Sequence, residues 1–206
     1  MYNPPHFAVD DIGPMLALIN LSSFATLLTT EGDDVQVSHA PLILGDDEGE
    51  PYLIGHLAKA NPQWKLFTGA QKATAIFHGP HAYISPSWYE TQKSVPTWNY
   101  AAVHVTGSPR YIDNPEKTRF VVEKLSEYFE AGFDQPWTLD KAPADFIERQ
   151  LKGIVAFEMP IEHIEGKFKL SQNRSDEDRA GVIKGLNETS DLAAYQLAQM
   201  MTQMGE

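Results

Sequence analysis

Apolar residues recur along the chain with two different periods, and the switches between them mark its elements. Ile12, Met15, Leu16 and Ile19 fall at i, i+3, i+4 and i+7, one face of a helix. Asp10 or Asp11 stands where a cap is needed, and Pro14 lies in the first turn, where its missing N–H is tolerated. A helix is therefore predicted from about Ile12 to Ser22. The period then drops to two. Phe24–Thr30 and Val35–Leu44 read as the arms of a hairpin around the Gly-containing turn Glu31–Asp34. Val35 and Val37 are out of phase with Leu42 and Leu44, which a bulge at Pro41 would produce. An acidic turn, Gly45–Glu50, leads to a third strand, Tyr52–Leu57. Asn61 and Pro62 then open a short helix reaching about Thr68.

Strands at Ala73–His78 and Asn99–Gly107 bracket the most distinctive stretch. It holds Tyr83, Trp88, Tyr89, Trp98 and Tyr100, interleaved with Pro80, Pro86 and Pro96. Proline removes a ladder donor, and disordered segments are poor in aromatics. The stretch therefore reads as a rigid aromatic loop, either a wall for a flat ligand or partner subunit, or a flap closed over its own core. Further on, Asn114-Pro115 opens a helix whose predicted buried face is Phe120, Val121, Leu125, Tyr128 and Phe129, ending at Gly132. Thr138–Pro143 is a turn, Ala144–Lys152 a short helix and Ile154–Ile164 a last strand. Ser175 and Ser190 cap two closing helices too narrow in apolar face to form a core alone, so they are expected to pack on a neighbour. Hairpins dominate and βαβ alternation is missing. The fold class is α+β, mainly β: a small antiparallel barrel over residues 1–170 with flanking helices, and a helical C-terminal appendage over 171–206.

Charge narrows the function. The 206 residues carry 16 Lys and Arg against 28 acids, a net charge of −12, and no cysteine. Thiol nucleophiles, disulfides and thiolate metal sites are excluded. An acidic chain repels nucleic acid unless its bases are concentrated in one patch. The densest patch is GKFKLSQNR, residues 166–174, so any direct DNA contact is expected from Lys167, Lys169 and Arg174, with Arg179 and Lys184 on the next helix. The same strip could touch a flavin phosphate, or simply pair with the acidic turn after Ser175. No apolar run approaches the length of a membrane span, and the N-terminus lacks a signal-peptide pattern, which predicts a cytoplasmic protein without membrane contact.

Few residues suggest chemistry of their own. The serines lack a nucleophile-elbow context. His39, His56 and His104 could converge across strands, but barrel histidines more often find a backbone partner; no metal site is expected, and His104 and His56 are the first suspects for any haem or metal. Asp46-Asp47 and Asp33-Asp34 read as solvated turn residues. His56, Lys59 and Asn61 combine a strand end, a cation and a helix start, a combination suited to a phosphate, although an ordinary cap beside a solvated lysine looks the same.

MYNPPHF, GHLAKANPQW, GPHAYISPSWY, VPTWNYAAVHVTG and GKFKLSQNR occur in this order. Together they resemble the PaiB-type family of FMN-binding negative transcriptional regulators, from Met1 to about Leu186. The resemblance implies a six-stranded antiparallel split barrel, similar to pyridoxamine phosphate oxidase and flavin reductases, with FMN held in a homodimer groove. It places His56, Lys59 and Asn61 at the phosphate and Ser85, Ser87, Trp88, Tyr89, Trp98 and Asn99 along the groove; His39, Lys169 and Gln172 are expected among the cofactor-binding residues as well. The arginine-rich strand of the oxidases is missing, since Val35–Leu44 has no basic residue but His39. The implied function is an FMN-binding regulator acting through DNA or a protein partner. The alternatives are a flavin-dependent oxidoreductase and, further off, a haem-binding split-barrel protein.

Overall fold

A computed structural model describes residues 1–45, 49–91 and 93–204. The acidic pair Asp46-Asp47 lies outside them. The chain divides into two compact units. Unit 1 comprises Met1–Ser22, His78–His104 and Glu165–Glu206; unit 2 comprises Ser23–Phe77 and Val105–Ile164.

In unit 1, strand β1 (Ala8–Val9) pairs antiparallel with β10 (His163–Lys169), which neighbours β7 (Thr97–Gly107) and then β6 (Ala73–Ile84). Helix α1 (Ile12–Leu21) starts where predicted, because the Asp11 carboxylate accepts from the Gly13 amide at 2.9 Å. Met15, Leu18 and Ile19 are its buried stripe. Small residues let it sit close: a Cβ on Gly79 would come within 2.6 Å of Leu18, and one on Gly166 within 2.7 Å of Met15. Helices α4 (Asp176–Asn187) and α5 (Leu192–Gln203) pack on each other and on this unit through Val182, Leu186, Ala194, Leu197, Ala198 and Met201.

In unit 2, β2 (Phe24–Glu31) and β3 (Asp34–Pro41) form the expected hairpin, from Phe24↔Pro41 to Glu31↔Asp34. Gly32, at φ 61°, supplies the left-handed turn. The strand breaks at Leu42 before β4 (Ile43–Leu44), beside the bulge position expected at Pro41. A second sheet runs β4-β5-β9-β8, built on β5 (Tyr52–Ala58), β9 (Ile154–Pro160) and β8 (Arg110–Tyr111). Helix α2 (Pro115–Glu130), capped by Asn114, lies over it; Val121 and Leu125 join Ile43, Ile54 and Ala156 in one core, and α3 (Ala144–Leu151) follows.

Five expectations change. The cap of α5 is Asp191, whose carboxylate accepts from the Ala193 amide at 2.9 Å, one residue after the expected Ser190. Strand β6 does not stop at His78. It continues through Pro80 to Ile84, because its inside–outside alternation is reset at the consecutive buried pair Gly79-Pro80. A bulge is where a strand accepts a residue without an N–H. Pro80 also lies beyond the register with β2, which covers Ala73–Ile76. The aromatic loop accordingly shrinks to a short 3₁₀ turn, Pro86–Trp88, and its flanks. The single last strand is two, β9 and β10, so Lys167 and Lys169 belong to a strand and not to a loop. On α2, Phe120 and Phe129 are 44% and 45% exposed; they flank opposite edges of a buried stripe formed by Thr118, Val121 and Leu125, which is narrower than the pattern suggests.

The docking of α4 yields a stability prediction. A Cβ on Gly185 would fall 2.3 Å from the Trp88 indole, and one on Gly181 would fall 2.0 Å from the Trp88 carbonyl oxygen. Gly185→Ala and Gly181→Ala should each destabilise the protein by about 1–3 kcal/mol in urea unfolding. Adding Trp88→Ala should rescue part of the Gly185→Ala loss but none of the Gly181→Ala loss, since only the first clash is with the side chain. Additive losses in both pairs would reject this packing account.

Candidate functional site

The reset of β6 has a consequence for unit 1. After it, Ala82 and Ile84 point to the helices, while His81 and Tyr83 point outward. On β7, Asn99, Ala101 and Val103 point inward, and Trp98 and Tyr100 outward. Trp98 is 54% exposed and Tyr83 47%. Their rings meet edge to face at 6.2 Å, and His81 lies 6.4 Å from Trp98 on the same face. Open aromatic surface of this kind, backed by a rigid strand pair, suits a flat ligand or a second chain.

Cations from β10 complete the face. The Lys169 ammonium donates to the Thr97 hydroxyl at 2.6 Å and to the Trp98 carbonyl, and lies over the Phe7 ring. Burial holds its pKa below the usual lysine value, and the charges of Lys167 and Arg174 push the same way. The charges acting on it are thus all cationic, and an anion placed there would relieve them. Lys167 is buried, donates to the Tyr2 carbonyl at 3.0 Å and sits over the rings of Tyr2 and Tyr100.

Several residues expected at a ligand are committed to the fold. Ser85 caps the 3₁₀ turn by accepting from the Ser87 amide, and the two hydroxyls are 2.7 Å apart. Trp88 seats α4. Tyr89 is buried under the Arg174 guanidinium, 4.7 Å from its ring centre. Asn99 is buried and donates to Ser171 at 2.8 Å and toward the Met201 sulfur. Gln172 ties off the end of β10 through the Phe168 carbonyl and the Leu170 amide.

The basic strip is likewise taken up within unit 1. Lys167 is enclosed, Arg174 lies on Tyr89, and Arg179 donates to the Met201 carbonyl at 2.8 Å. Lys184 is exposed, at 78%, with Glu188 at 4.0 Å. These groups do not form a continuous exposed row for a phosphate backbone, because the strand and the helices that carry them use the cations in their own packing.

In unit 2, His56, Lys59 and Asn61 go to different neighbours. Asn61 accepts from the Gln63 amide at 3.0 Å and donates to Ser38 at 2.7 Å, so both ends of its amide are used on the hairpin side. Gln63 follows it inward and donates to Leu27, Thr29 and Gln36. His56 shares the face of β5 that carries Ile54, the face covered by α2; its Nδ1 is buried without a partner, and burial lowers its pKa. Lys59 lines a cleft with residues of α2 and α3. His39 is exposed, stacked at 6.4 Å on Phe24 and bonded to Thr26 at 3.1 Å. Among the described residues, no three His, Asp or Glu side chains come together to hold a metal. Nothing in the periodicity singled out Tyr83 and His81 as neighbours of Trp98; that required the bulge.

The comparisons bear on the same features. The family model described as "Putative FMN-binding domain" matches residues 1–163. The Bacillus subtilis (strain 168) protein named "Protease synthase and sporulation protein PAI 2" is 37% identical over 201 residues, 98% of this chain and 96% of that protein. Among solved structures, the flavocytochrome Anf3 from Azotobacter vinelandii aligns at TM-score 0.61 and 13% identity, covering 84% of this chain and 75% of that one. The FAD and heme binding protein from Mycobacterium smegmatis aligns at TM-score 0.59 and 14% identity, covering 84% and 78%. At these identities the two structures speak to the fold, which is the split barrel expected from the sequence. No helix among the described residues is long and apolar enough to cross a membrane.

The orphaned imidazole gives a pH prediction. His56 resists protonation in the folded chain but takes a proton near the ordinary 6.5 when unfolded. Below that value the unfolded state binds more protons, so stability should fall as pH drops from about 7 to 5. The slope should reach up to about 1.4 kcal/mol per pH unit from this group. Urea unfolding at several pH values should show a shallower slope for His56→Gln; an identical slope would mean that the imidazole titrates freely.

Proposed function

The chain belongs to the FMN-binding family that its first 163 residues match, and we propose that it acts as a flavin-responsive transcriptional regulator of the PaiB type, with FMN held on the outward face of unit 1. The observation that carries the placement is the exposed cluster of His81, Tyr83 and Trp98 beside Lys169, an ammonium surrounded by other cations. The donor set fits the cofactor: Trp98 and Tyr83 offer ring surface for a planar heterocycle, and Lys169 offers charge to an anionic group. FMN, when bound, supplies a redox-active ring; the chain's part is to bind and orient it and to keep water from that face.

A face this aromatic is also one that a second copy would cover, and a homodimer closed over it would form the flavin groove. The regulatory reading rests on the 37%-identical relative, whose name, "Protease synthase and sporulation protein PAI 2", ties it to sporulation. Because Lys167, Arg174 and Arg179 are engaged in packing and leave no continuous basic row beside the exposed Lys184, regulation through flavin state and a protein partner fits better than direct contact with DNA.

Lys169→Ala should weaken FMN binding by about 1.5–3 kcal/mol, the worth of a hydrogen bond to a charged group. Trp98→Ala should weaken it by about 0.5–1.5 kcal/mol through lost ring contact. Flavin fluorescence titration reads both, and unchanged affinity in the two variants would reject the placement. Light scattering at micromolar concentration should report a dimer, and Trp98→Ala should weaken it; a monomeric wild type would sink the groove.

A further inference from the structure

A cleft of about 480 Å³ in unit 2 opens among the first turns of α2, the end of α3 and the end of β5. Pro115, Leu151 and Ile154 give it apolar walls. Its charged lining is Lys59, Arg119 and Lys152, with Glu116 and Glu148, and Thr118 adds a hydroxyl. Three cations thus converge from three separate elements in a chain whose net charge is −12. Among the described residues no ion pair engages Lys59 or Lys152, and Arg119 has only Glu123 at 3.8 Å. Three cations gathered beside two carboxylates leave an excess of positive charge, which an anion among them stabilises.

The charge of the lining decides which anion. Three cations against two carboxylates leave +1. One negative charge balances that; a phosphate dianion would exceed it and would face Glu116 and Glu148 as well. Arg119 presents a planar fork that matches a carboxylate with two parallel hydrogen bonds. The volume lies in the range of small-molecule sites, and the apolar walls need an apolar body to cover them. The positive end of α2 favours the same sign of ligand.

We propose that this cleft binds a small organic monocarboxylate with an apolar body, an aromatic or branched aliphatic acid, as a second ligand independent of the flavin. The carboxylate meets Arg119 and Lys152, Lys59 closes over it from the strand end, and Pro115, Leu151 and Ile154 hold the body. A bound acid ties the starts and ends of three elements together, which gives a regulator an input separate from its cofactor.

The test uses the full chain with benzoate as probe, and phenyl phosphate and neutral benzamide as comparisons. Calorimetry should give benzoate a Kd of about 1 mM or tighter. Backbone amide shifts should centre on Lys59, Thr118, Arg119, Leu151 and Lys152. Arg119→Gln and Lys152→Gln should each weaken benzoate about tenfold, equivalent to about 1.4 kcal/mol. Benzamide should bind at least as weakly as benzoate does to these variants, and phenyl phosphate no tighter than benzoate does to wild type. FMN affinity should stay within about twofold in both variants. Failure of benzoate to bind up to about 10 mM would overturn the proposal. So would variants that bind it as wild type does, or phenyl phosphate preferred over benzoate. Loss of FMN binding in step with benzoate would hand the cleft to the flavin phosphate and overturn it too.

Discussion

The outward face of unit 1 depends on one backbone event, the resetting of strand alternation at Gly79-Pro80. Side chains on a strand alternate with period two, so a single extra residue exchanges the faces of everything that follows. Without the reset, Ala82 and Ile84 would face outward, and His81 and Tyr83 would be driven against α1 and the closing helices. Gly79 is the residue that can sit there, because a Cβ would press on Leu18 and on Ala101. Pro80 lacks the donor that the bulge leaves unpaired. The neighbourhood of Trp98, Tyr83 and His81 is therefore set by two residues with no functional group between them.

The other half of the face is electrostatic. Lys167 and Lys169 alternate with Gly166 and Phe168 on β10, so both cations point the same way while their neighbours pack inward. Lys167 is buried against the Tyr2 carbonyl and two aromatic rings. Lys169 is half-buried, donates to the Thr97 hydroxyl and the Trp98 carbonyl, lies over the Phe7 ring, and stands under repulsion from Lys167 and Arg174. Two lysines two residues apart thus differ in exposure rather than in the kind of partner they hold.

The sequence was most legible where structure is decided locally. Asp11, Asn114 and Ser175 each cap the helix that the pattern places after them. The hairpin at Gly32 and the break beside Pro41 were readable from turn chemistry and phase. The pattern is silent where distant elements compete for a residue. Trp88, Tyr89, Asn99 and Gln172, which the family resemblance brings to the groove, also pack on α4, Arg174, Ser171 and the end of β10. A polar group in a loop is equally suited to ligand or fold, and only tertiary packing decides which. The pattern ends the strand at His78, two residues before Pro80, since periodicity cannot tell a bulge from a terminus. The cleft of Lys59, Arg119 and Lys152 was invisible because its cations lie far apart along the chain.

Lys169 is an ammonium that its surroundings both hold and resist. Burial and the charges of Lys167 and Arg174 favour the uncharged amine, while the Thr97 hydroxyl and the Trp98 carbonyl accept from the charged one. A neutral side chain at this position would relieve the repulsion, but it would also remove the donor that ties the end of β10 to the start of β7.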